Sequence, residues 1–308
     1  MLTLFVLLST ALPFYGPTPY GADQSIWAQQ RRARGGREQA TADRRSSIAP
    51  DNIVRYGTAS SQTVDYYAAP ATAMVEANGQ RPPLAIFIHG GGWRLGDQSM
   101  VAAKPAWFRA HGWAFASIGY RLLPEASVET QAQDIAAAIV ALRRDAAHLG
   151  FDPDRILLFG HSAGAHLAAL LSTDDRLLGA DFAAIQGTIL LDGAGYDVVR
   201  QMAAARFLAQ RIYEPAFGTD PARQRALSPI TYAGGRDVPS WLIIHDNDRD
   251  DSVAQSTAFA TALTNGGAMV QRLPMEGTHM SINIDFGNTG YAGNAAIEAI
   301  MRRVTGQR

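Results

Sequence analysis

Short apolar runs, separated by longer amphipathic stretches, fill the chain after about residue 50. Each run has the length of a strand and stops at small or polar residues, which is the pattern of a strand buried on both faces. The segment 62–68 instead alternates along its length and predicts an edge strand. Buried strands are predicted at residues 84–89, 113–120, 155–160, 188–193, 240–245 and 268–273.

The stretches between these runs have helical spacing. Residues 128–150 place apolar side chains at Ile135, Ile139 and Leu142, and the pattern ends at Gly150. Strands that alternate with helices indicate an α/β fold with a mostly parallel central sheet and helices on both faces. Sites in such sheets collect at the carboxyl ends of the strands. We therefore expect the functional residues in the loops that follow residues 89, 160, 192, 245 and 273.

The amino-acid composition excludes several kinds of functional site. Of the 308 residues, 47% are hydrophobic and 18% are charged, which is enough apolar material for a substantial core. A net charge of −1 gives no overall attraction to nucleic acid or anionic lipid. The absence of cysteine excludes disulfides, thiolate-bound metals and a thiol nucleophile. No metal-ligand spacing is visible, so neither a metal nor a cofactor is expected.

The N-terminal stretch differs from the rest of the chain. Residues 1–28 carry an apolar run of signal-peptide size, too short for a membrane-spanning helix, and predict an exported protein, periplasmic or secreted. Without such a signal the protein would be cytoplasmic. Residues 29–49 are rich in Arg and Gln and predict a disordered linker. The folded domain is predicted over residues 50–308.

A G-x-S-x-G sequence at residues 160–164 follows one of the predicted buried strands and precedes the small-residue start of a helix. This strand–turn–helix context is the one that a nucleophile elbow needs. The glycines beside Ser162 are required because side chains there would collide with the strand or the helix. Ser162 is therefore the candidate nucleophile, with a helix-capping serine as the alternative.

Three consecutive glycines, at residues 90–92, follow another buried strand. Their conformational cost indicates a backbone that must approach something closely. Two N–H groups of this loop, with that of Ala163, would bind the oxyanion of an acyl-transfer intermediate. A phosphate-binding loop is disfavoured because the chain lacks the G-K-[ST] and G-x-G-x-x-G patterns there. His89 and Trp93, which flank the glycines, are interpreted as structural.

A serine nucleophile needs a base and an orienting carboxylate, which follow it along the chain in the order acid, then histidine. Of seven histidines, only His279 has the right position. The acid is expected in the loop after residue 245, where spacing alone does not separate Asp248, Asp250 and Asp251. Asp192, after the preceding strand, is expected to line the site without a catalytic role.

These motifs resemble the esterase/lipase group of α/β-hydrolases, near the hormone-sensitive-lipase-like carboxylesterases and the arylformamidases. The resemblance covers about residues 50–300 and rests on HGGGW (89–93), YRLLPE (120–125), the segment 152–171 and GTHMSIN (277–283). It implies the α/β-hydrolase fold, with Ser162 as the nucleophile and His279 as the base. It also implies that the N–H groups of Gly91, Gly92 and Ala163 form the oxyanion hole.

The resemblance also bears on the acid. Related sequences often carry a Q-S pair about seven and eight residues after the catalytic Asp, so Gln255-Ser256 point to Asp248. Asp251 is the second choice and Asp250 the third. The strand before this loop usually ends His-Gly in the family, whereas here it ends His245-Asp246.

The implied activity is a serine carboxylesterase that acts on short-chain or small aryl esters through an acyl-enzyme. An arylformamidase-type amide hydrolase is the alternative, and a catalytically inactive binding module on the same scaffold is an alternative from a different class. The expected partner is a small-molecule ester or amide, not nucleic acid. Residues 195–235 are predicted to form helices over the site.

Overall fold

The computed structural model describes residues 45–73, 80–204 and 207–306. The predicted signal peptide and most of the predicted linker lie outside these residues, and residues 45–49 contain no helix or strand. The described residues form one eight-stranded sheet. Its strands are β1 (Asn52–Arg55), β2 (Thr63–Tyr67), β3 (Leu84–Ile88), β4 (Ala114–Ile118), β5 (Ile156–His161), β6 (Ile185–Leu191), β7 (Ser240–Asp246) and β8 (Met269–Met275).

The sheet is parallel over most of its width. The strand order is β1-β2-β4-β3-β5-β6-β7-β8. Only the two pairings of β2, with β1 and with β4, are antiparallel in the described chain. The carboxyl ends of β3, β5, β6, β7 and β8 therefore meet at one edge of the sheet.

Helices cover both faces of this sheet, as the alternating pattern predicts. The α-helices are α1 (Lys104–Ala110), α2 (Val128–Arg144), α3 (Ala146–Leu149), α4 (Ala163–Leu171), α5 (Val198–Ala204), α6 (Phe207–Phe217), α7 (Pro221–Ala226), α8 (Asp250–Asn265), α9 (Ser281–Ile284) and α10 (Asn294–Val304). Short 3₁₀ turns lie at Asp175–Leu177, Gly179–Ala184 and Pro229–Thr231.

Two apolar clusters form the core, one on each face of the sheet. The first joins the sheet to α2, α4 and α8, and the second joins it to α1 and α10. The fully buried strands β3 and β5 contribute alternate side chains to both clusters, so their sequences read as continuous apolar runs.

Two strand predictions are wrong about which strand lies at the edge. Strand β2 is completely buried and pairs on both sides, because the short and largely exposed β1 lies outside it. At the other end of the sheet, β8 pairs only with β7 among the described strands, and most of its residues are partly or fully exposed. Only the last residue of β8 is buried.

The predicted helix 128–150 is present as two helices. α2 ends at Arg144, and α3 begins again at Ala146 and ends before Gly150, which adopts the left-handed conformation at φ 80°. The N-terminus of α2 is capped by Ser127, whose hydroxyl accepts a hydrogen bond from the N–H of Thr130. In the described part of the chain, no helix is long and apolar enough to cross a membrane.

Candidate active site

Ser162 lies on a sharp turn between β5 and α4. Its backbone has φ 56° and ψ −118°, a conformation that a residue with a side chain rarely adopts. A Cβ on Gly160 would lie 2.3 Å from the carbonyl oxygen of Gly164, and a Cβ on Gly164 would lie 2.1 Å from that of Ile88. Only glycine fits at both positions, as the sequence predicts. The turn places the serine hydroxyl above the sheet, beside the first N–H groups of α4.

A histidine and a carboxylate extend from Ser162 in a hydrogen-bonded line. The Oγ of Ser162 lies 3.0 Å from Nε2 of His279. The Nδ1 of His279 lies 2.6 Å from Oδ2 of Asp192. His279 follows β8, and Asp192 follows β6, so three different strands supply the three side chains at the same edge of the sheet.

The Asp192 carboxylate is completely buried and accepts hydrogen bonds at both oxygens. Its Oδ1 accepts from the N–H of Asp246 at 3.0 Å and from the Ser252 hydroxyl, and its Oδ2 accepts from His279 and from Nη1 of Arg249, each at 2.6 Å. Burial alone would raise the pKa of this carboxyl. The hydrogen bonds and the charge of Arg249 outweigh burial and hold the pKa well below its usual range.

This ionisation fixes the tautomer of His279. A carboxylate can only accept a hydrogen bond, so the 2.6 Å contact requires the proton to be on Nδ1 of His279. The Nε2 of a neutral ring is then an acceptor, and the hydroxyl of Ser162 donates to it. The arrangement leaves a basic lone pair directed at the serine.

The prediction that Asp248 contacts His279 is wrong, because Asp192 occupies that place. Asp248 is exposed, and its N–H donates to Oδ1 of Asp246 at 2.9 Å. Asp246, where the family usually has glycine, thus forms a tight turn directly after β7. That turn directs Asp248 away from the ring.

The two other candidate acids do not contact His279 either. Asp250 is exposed in the first turn of α8, and Asp251 pairs with Arg249. Sequence reasoning missed the contacts of both Asp192 and Arg249. The available signal was the position of Asp192 at the end of a buried strand, in one of the loops predicted to line the site.

The glycine loop after β3 lies beside Ser162. Gly91 and Gly92 have φ 126° and 61°, and a Cβ on Gly91 would lie 2.0 Å from the carbonyl oxygen of Leu95. In the described part of the chain, the N–H groups of Gly91, Gly92 and Ala163 have no hydrogen-bond acceptor. These three groups are therefore available to a ligand at the serine.

Histidines 89 and 161 support these loops from within. His89 is buried, stacks on Tyr120 at 4.4 Å between ring centroids, and bonds the Gly90 carbonyl through Nδ1 at 2.9 Å. His161 donates from Nε2 to the carbonyl oxygen of His279 at 2.8 Å. Burial lowers the pKa of His89 to about 4 and, together with the neighbouring His279 ring, lowers that of His161 to about 3. Both rings are neutral near pH 7.

A cavity of about 770 Å³ opens above Ser162. The buried part of its lining includes Phe87 and Asn283. The exposed part includes Leu95, in the loop after β3, and Ile212, on helix α6, which are 68% and 50% exposed and are here called the mouth of the cavity. Helices α5 to α7 of the predicted segment 195–235 are present, and α6 contributes Ile212 and Tyr213 to the cavity wall.

A family model described as BD-FAE matches residues 73–263, more than half of the chain. The chain belongs to the BD-FAE family. This membership and the relatives below confirm the resemblance to α/β-hydrolases of the esterase/lipase group. The matched region contains the glycine loop, Ser162 and Asp192, and it ends before His279.

Curated relatives of this BD-FAE protein include esterases and formamidases. Esterase LipQ of Mycobacterium tuberculosis is 32% identical over 205 residues, which cover 62% of this chain and 48% of LipQ. Lipase 2 of Moraxella sp. is 33% identical over 48% of this chain and 33% of its own length. The chain thus spans half or less of these two relatives. Kynurenine formamidase of Danio rerio is 27% identical over 81% of this chain and 79% of its own length.

Solved structures agree on the fold. Esterase B from Lactobacillus rhamnosis in an inhibited form matches 92% of this chain and 95% of its own, with a TM-score of 0.68 and 24% identity. Thermogutta terrifontis esterase 2 phosphonylated by sarin matches 83% of this chain and 93% of its own, with a TM-score of 0.65 and 21% identity. At such identities the likeness concerns the fold, which is the α/β-hydrolase fold.

Proposed function

We propose that this protein is a serine hydrolase of carboxylic esters with Ser162, His279 and Asp192 as its catalytic triad. The observation that carries the proposal is the line of two hydrogen bonds, 3.0 Å from Ser162 Oγ to His279 Nε2 and 2.6 Å from His279 Nδ1 to Asp192 Oδ2. Membership of a family with esterase relatives supports the same chemistry. Asp192 replaces Asp248 as the proposed acid.

The reaction begins when Oγ of Ser162 attacks the ester carbonyl carbon and its proton passes to Nε2 of His279. Asp192 stabilises the imidazolium that forms. The tetrahedral intermediate then collapses, the bond between the carbon and the alcohol oxygen breaks, and Nε2–H protonates the leaving alcohol. Water attacks the acyl-enzyme with Nε2 again as base, which releases the acid and restores Ser162.

The oxyanion of each tetrahedral intermediate lies at the N–H groups of Gly91, Gly92 and Ala163 in this proposal. All three are without an acceptor in the described structure, and the third belongs to the N-terminus of α4, where a negative charge is favoured. The loop conformation that presents Gly91 depends on glycine, because the close approach of Leu95 leaves no room for a side chain.

Replacement of Ser162 by alanine tests the proposal. We expect Ser162→Ala to reduce p-nitrophenyl acetate hydrolysis by about 10³-fold or more without lowering the melting temperature, because the strained turn gains no new clash. A fluorophosphonate probe should label the wild-type protein and not the variant. Retention of more than a few per cent of the wild-type rate by the variant would refute the serine mechanism.

Arylformamidase activity is the second candidate. It is favoured by the kynurenine formamidase relative, which matches four-fifths of this chain, more than LipQ does. The same triad and oxyanion groups would serve an amide. Rates on a series of p-nitrophenyl esters and on N-formylkynurenine discriminate the two, and a formamide kcat/KM far above every ester value would establish the formamidase.

The third reading, an inactive binding module on the same scaffold, is disfavoured by the complete hydrogen-bonded line at Ser162. Such modules keep the fold but have lost a member of the constellation. Covalent labelling of Ser162 by the fluorophosphonate would eliminate this reading.

A further inference from the structure

Arg249 lies in the loop between β7 and α8, where the sequence predicted the acid. Its half-buried guanidinium touches two carboxylates: Nη1 donates to Oδ2 of Asp192 at 2.6 Å, and Nη2 donates to Oδ2 of Asp251 at 3.1 Å. The same Nη1 lies 2.9 Å from Nδ1 of His279. The side chain also borders the cavity above Ser162.

The close approach of Arg249 to His279 follows from a shared acceptor. Both side chains donate to Oδ2 of Asp192, so their nitrogens are brought together. Because Nδ1 of His279 carries a proton, it cannot accept from Arg249, and the 2.9 Å contact is an apposition of two donors. The guanidinium acts on the histidine through the carboxylate.

Other groups complete the surroundings of this carboxylate. Ser252 and the N–H of Asp246 hold Oδ1, whereas Oδ2 has only His279 and Arg249 among the described residues. Without Arg249, the imidazole of His279 would be the only donor among the described residues to the oxygen that must receive Nδ1–H, and the carboxylate would be anchored at Oδ1 alone. Asp251 holds the guanidinium from its far side.

We propose that Arg249 is a positioning residue, which fixes Oδ2 of Asp192 in the place where it orients His279. The β7 loop thus contributes to the triad through an arginine, while the acid itself comes from β6. This inference rests on the proposed function, because it assigns a role within the same reaction.

The test uses Arg249→Ala and free guanidinium. We expect kcat for p-nitrophenyl acetate to fall by about 10- to 100-fold, the loss typical of a misplaced catalytic group, while KM stays within about threefold. Arg249 borders the open cavity, so guanidinium chloride at about 50 mM should enter the vacated space, pair with the carboxylate and restore at least about a fifth of the lost kcat. Sodium chloride at the same concentration should restore none.

Arg272→Ala is the matched control. Arg272 lies on neighbouring β8 and bonds the Thr257 hydroxyl and His245. Its removal should leave kcat nearly unchanged and insensitive to guanidinium. Arg249→Lys serves as the second variant, since it retains the charge with a single donor group, and should keep more activity than Arg249→Ala.

The outcomes separate this inference from the proposed function. Unchanged kcat in Arg249→Ala, or a loss that guanidinium does not rescue in a variant that melts like the wild type, would overturn the role of Arg249. If Arg249→Ala fails to fold, Arg249→Lys and Arg249→Gln replace it in the test. Wild-type kcat in both of these variants, with Arg249→Gln folded, would overturn the role of Arg249. If instead the wild type and Ser162→Ala hydrolyse the ester equally, the proposed function itself fails.

Discussion

Glycine at single positions allows the backbone to form the turn that carries Ser162. Gly164 has an ordinary negative φ, so its requirement is purely one of space: a Cβ would meet the carbonyl oxygens of Ile88 and His89 at 2.1 and 2.6 Å. Ile88 is the last residue of β3, and His89 directly precedes the glycine loop. A side chain at Gly164 would therefore push the proposed oxyanion groups away from Ser162.

Gly164→Ala should lower both stability and turnover. We expect a melting temperature at least about 5 °C below the wild type, because backbone cannot shift as a flexible side chain can. Gly267→Ala is the control, since nothing lies within 4 Å of its Cβ and only its φ of 92° is unfavourable. Thermal unfolding of the two variants checks this, and a smaller loss in Gly164→Ala than in Gly267→Ala would contradict the packing argument.

Among the elements, the sequence predicted the buried strands β3 to β7, the turn that carries Ser162 and the position of His279. Those features depend on local patterns: apolar runs, small residues and chain order. To predict the acid, one must know which of two adjacent strands carries the carboxylate that reaches His279. Asp192 and Asp248 follow neighbouring strands that end at the same edge, and the N–H of Asp246 donates to Asp192 from one strand end to the other, a long-range contact that no local pattern shows.

Local sequence pattern also could not predict which strands lie at the edges of the sheet. The alternation in residues 62–68 is real, yet β2 is buried because β1 pairs outside it. Strand β1, Asn52–Arg55, has only four residues, two of them apolar, which is too short a pattern to distinguish a strand from a loop.

Two elements form the mouth of the cavity, and their side chains should select substrate length. Leu95 and Ile212 are large, aliphatic and exposed, and each added methylene of an acyl chain that contacts them gains roughly 0.8 kcal/mol when fully buried. We expect Ile212→Asp to lower kcat/KM for p-nitrophenyl octanoate by about 10-fold and to leave that for the acetate within about twofold.

Val140→Asp, at an exposed apolar position on helix α2, is the control for a new surface charge. It should leave the octanoate-to-acetate ratio unchanged. An equal loss on both esters in Ile212→Asp would contradict the assignment of the mouth as a chain-binding surface.

For the molecule as a whole, a buried lysine amine links stability to pH. Lys104, the only lysine of the chain, is fully buried, donates to the carbonyl oxygen of Asn283 at 2.6 Å and lies over the rings of Phe87 and Phe286. Burial lowers the pKa of Lys104 to about 7, against a smaller opposing effect of Asp285. Between about pH 7 and 10.5 the unfolded chain therefore binds a proton that the folded chain does not, so this group makes stability rise with pH.

Lys104→Met should remove that dependence. One proton of difference corresponds to about 1.4 kcal/mol per pH unit, or about 3 °C in melting temperature. From pH 7.5 to 9.5 the wild type should therefore gain melting temperature relative to Lys104→Met by roughly that amount per unit. A constant difference between the two proteins across this range would mean that Lys104 remains charged in the fold.

In the proposed triad the carboxylate comes from the loop after β6, and not from the loop after β7. The most direct measurement is kcat/KM for one p-nitrophenyl ester in Asp192→Asn and Asp248→Asn, a matched pair of isosteric changes on neighbouring loops. We expect Asp192→Asn to lose about 10³- to 10⁴-fold, because an amide no longer selects the Nδ1–H tautomer of His279, and we expect the exposed Asp248 variant to stay within about twofold of the wild type. A large loss in Asp248→Asn with near wild-type activity in Asp192→Asn would contradict the account.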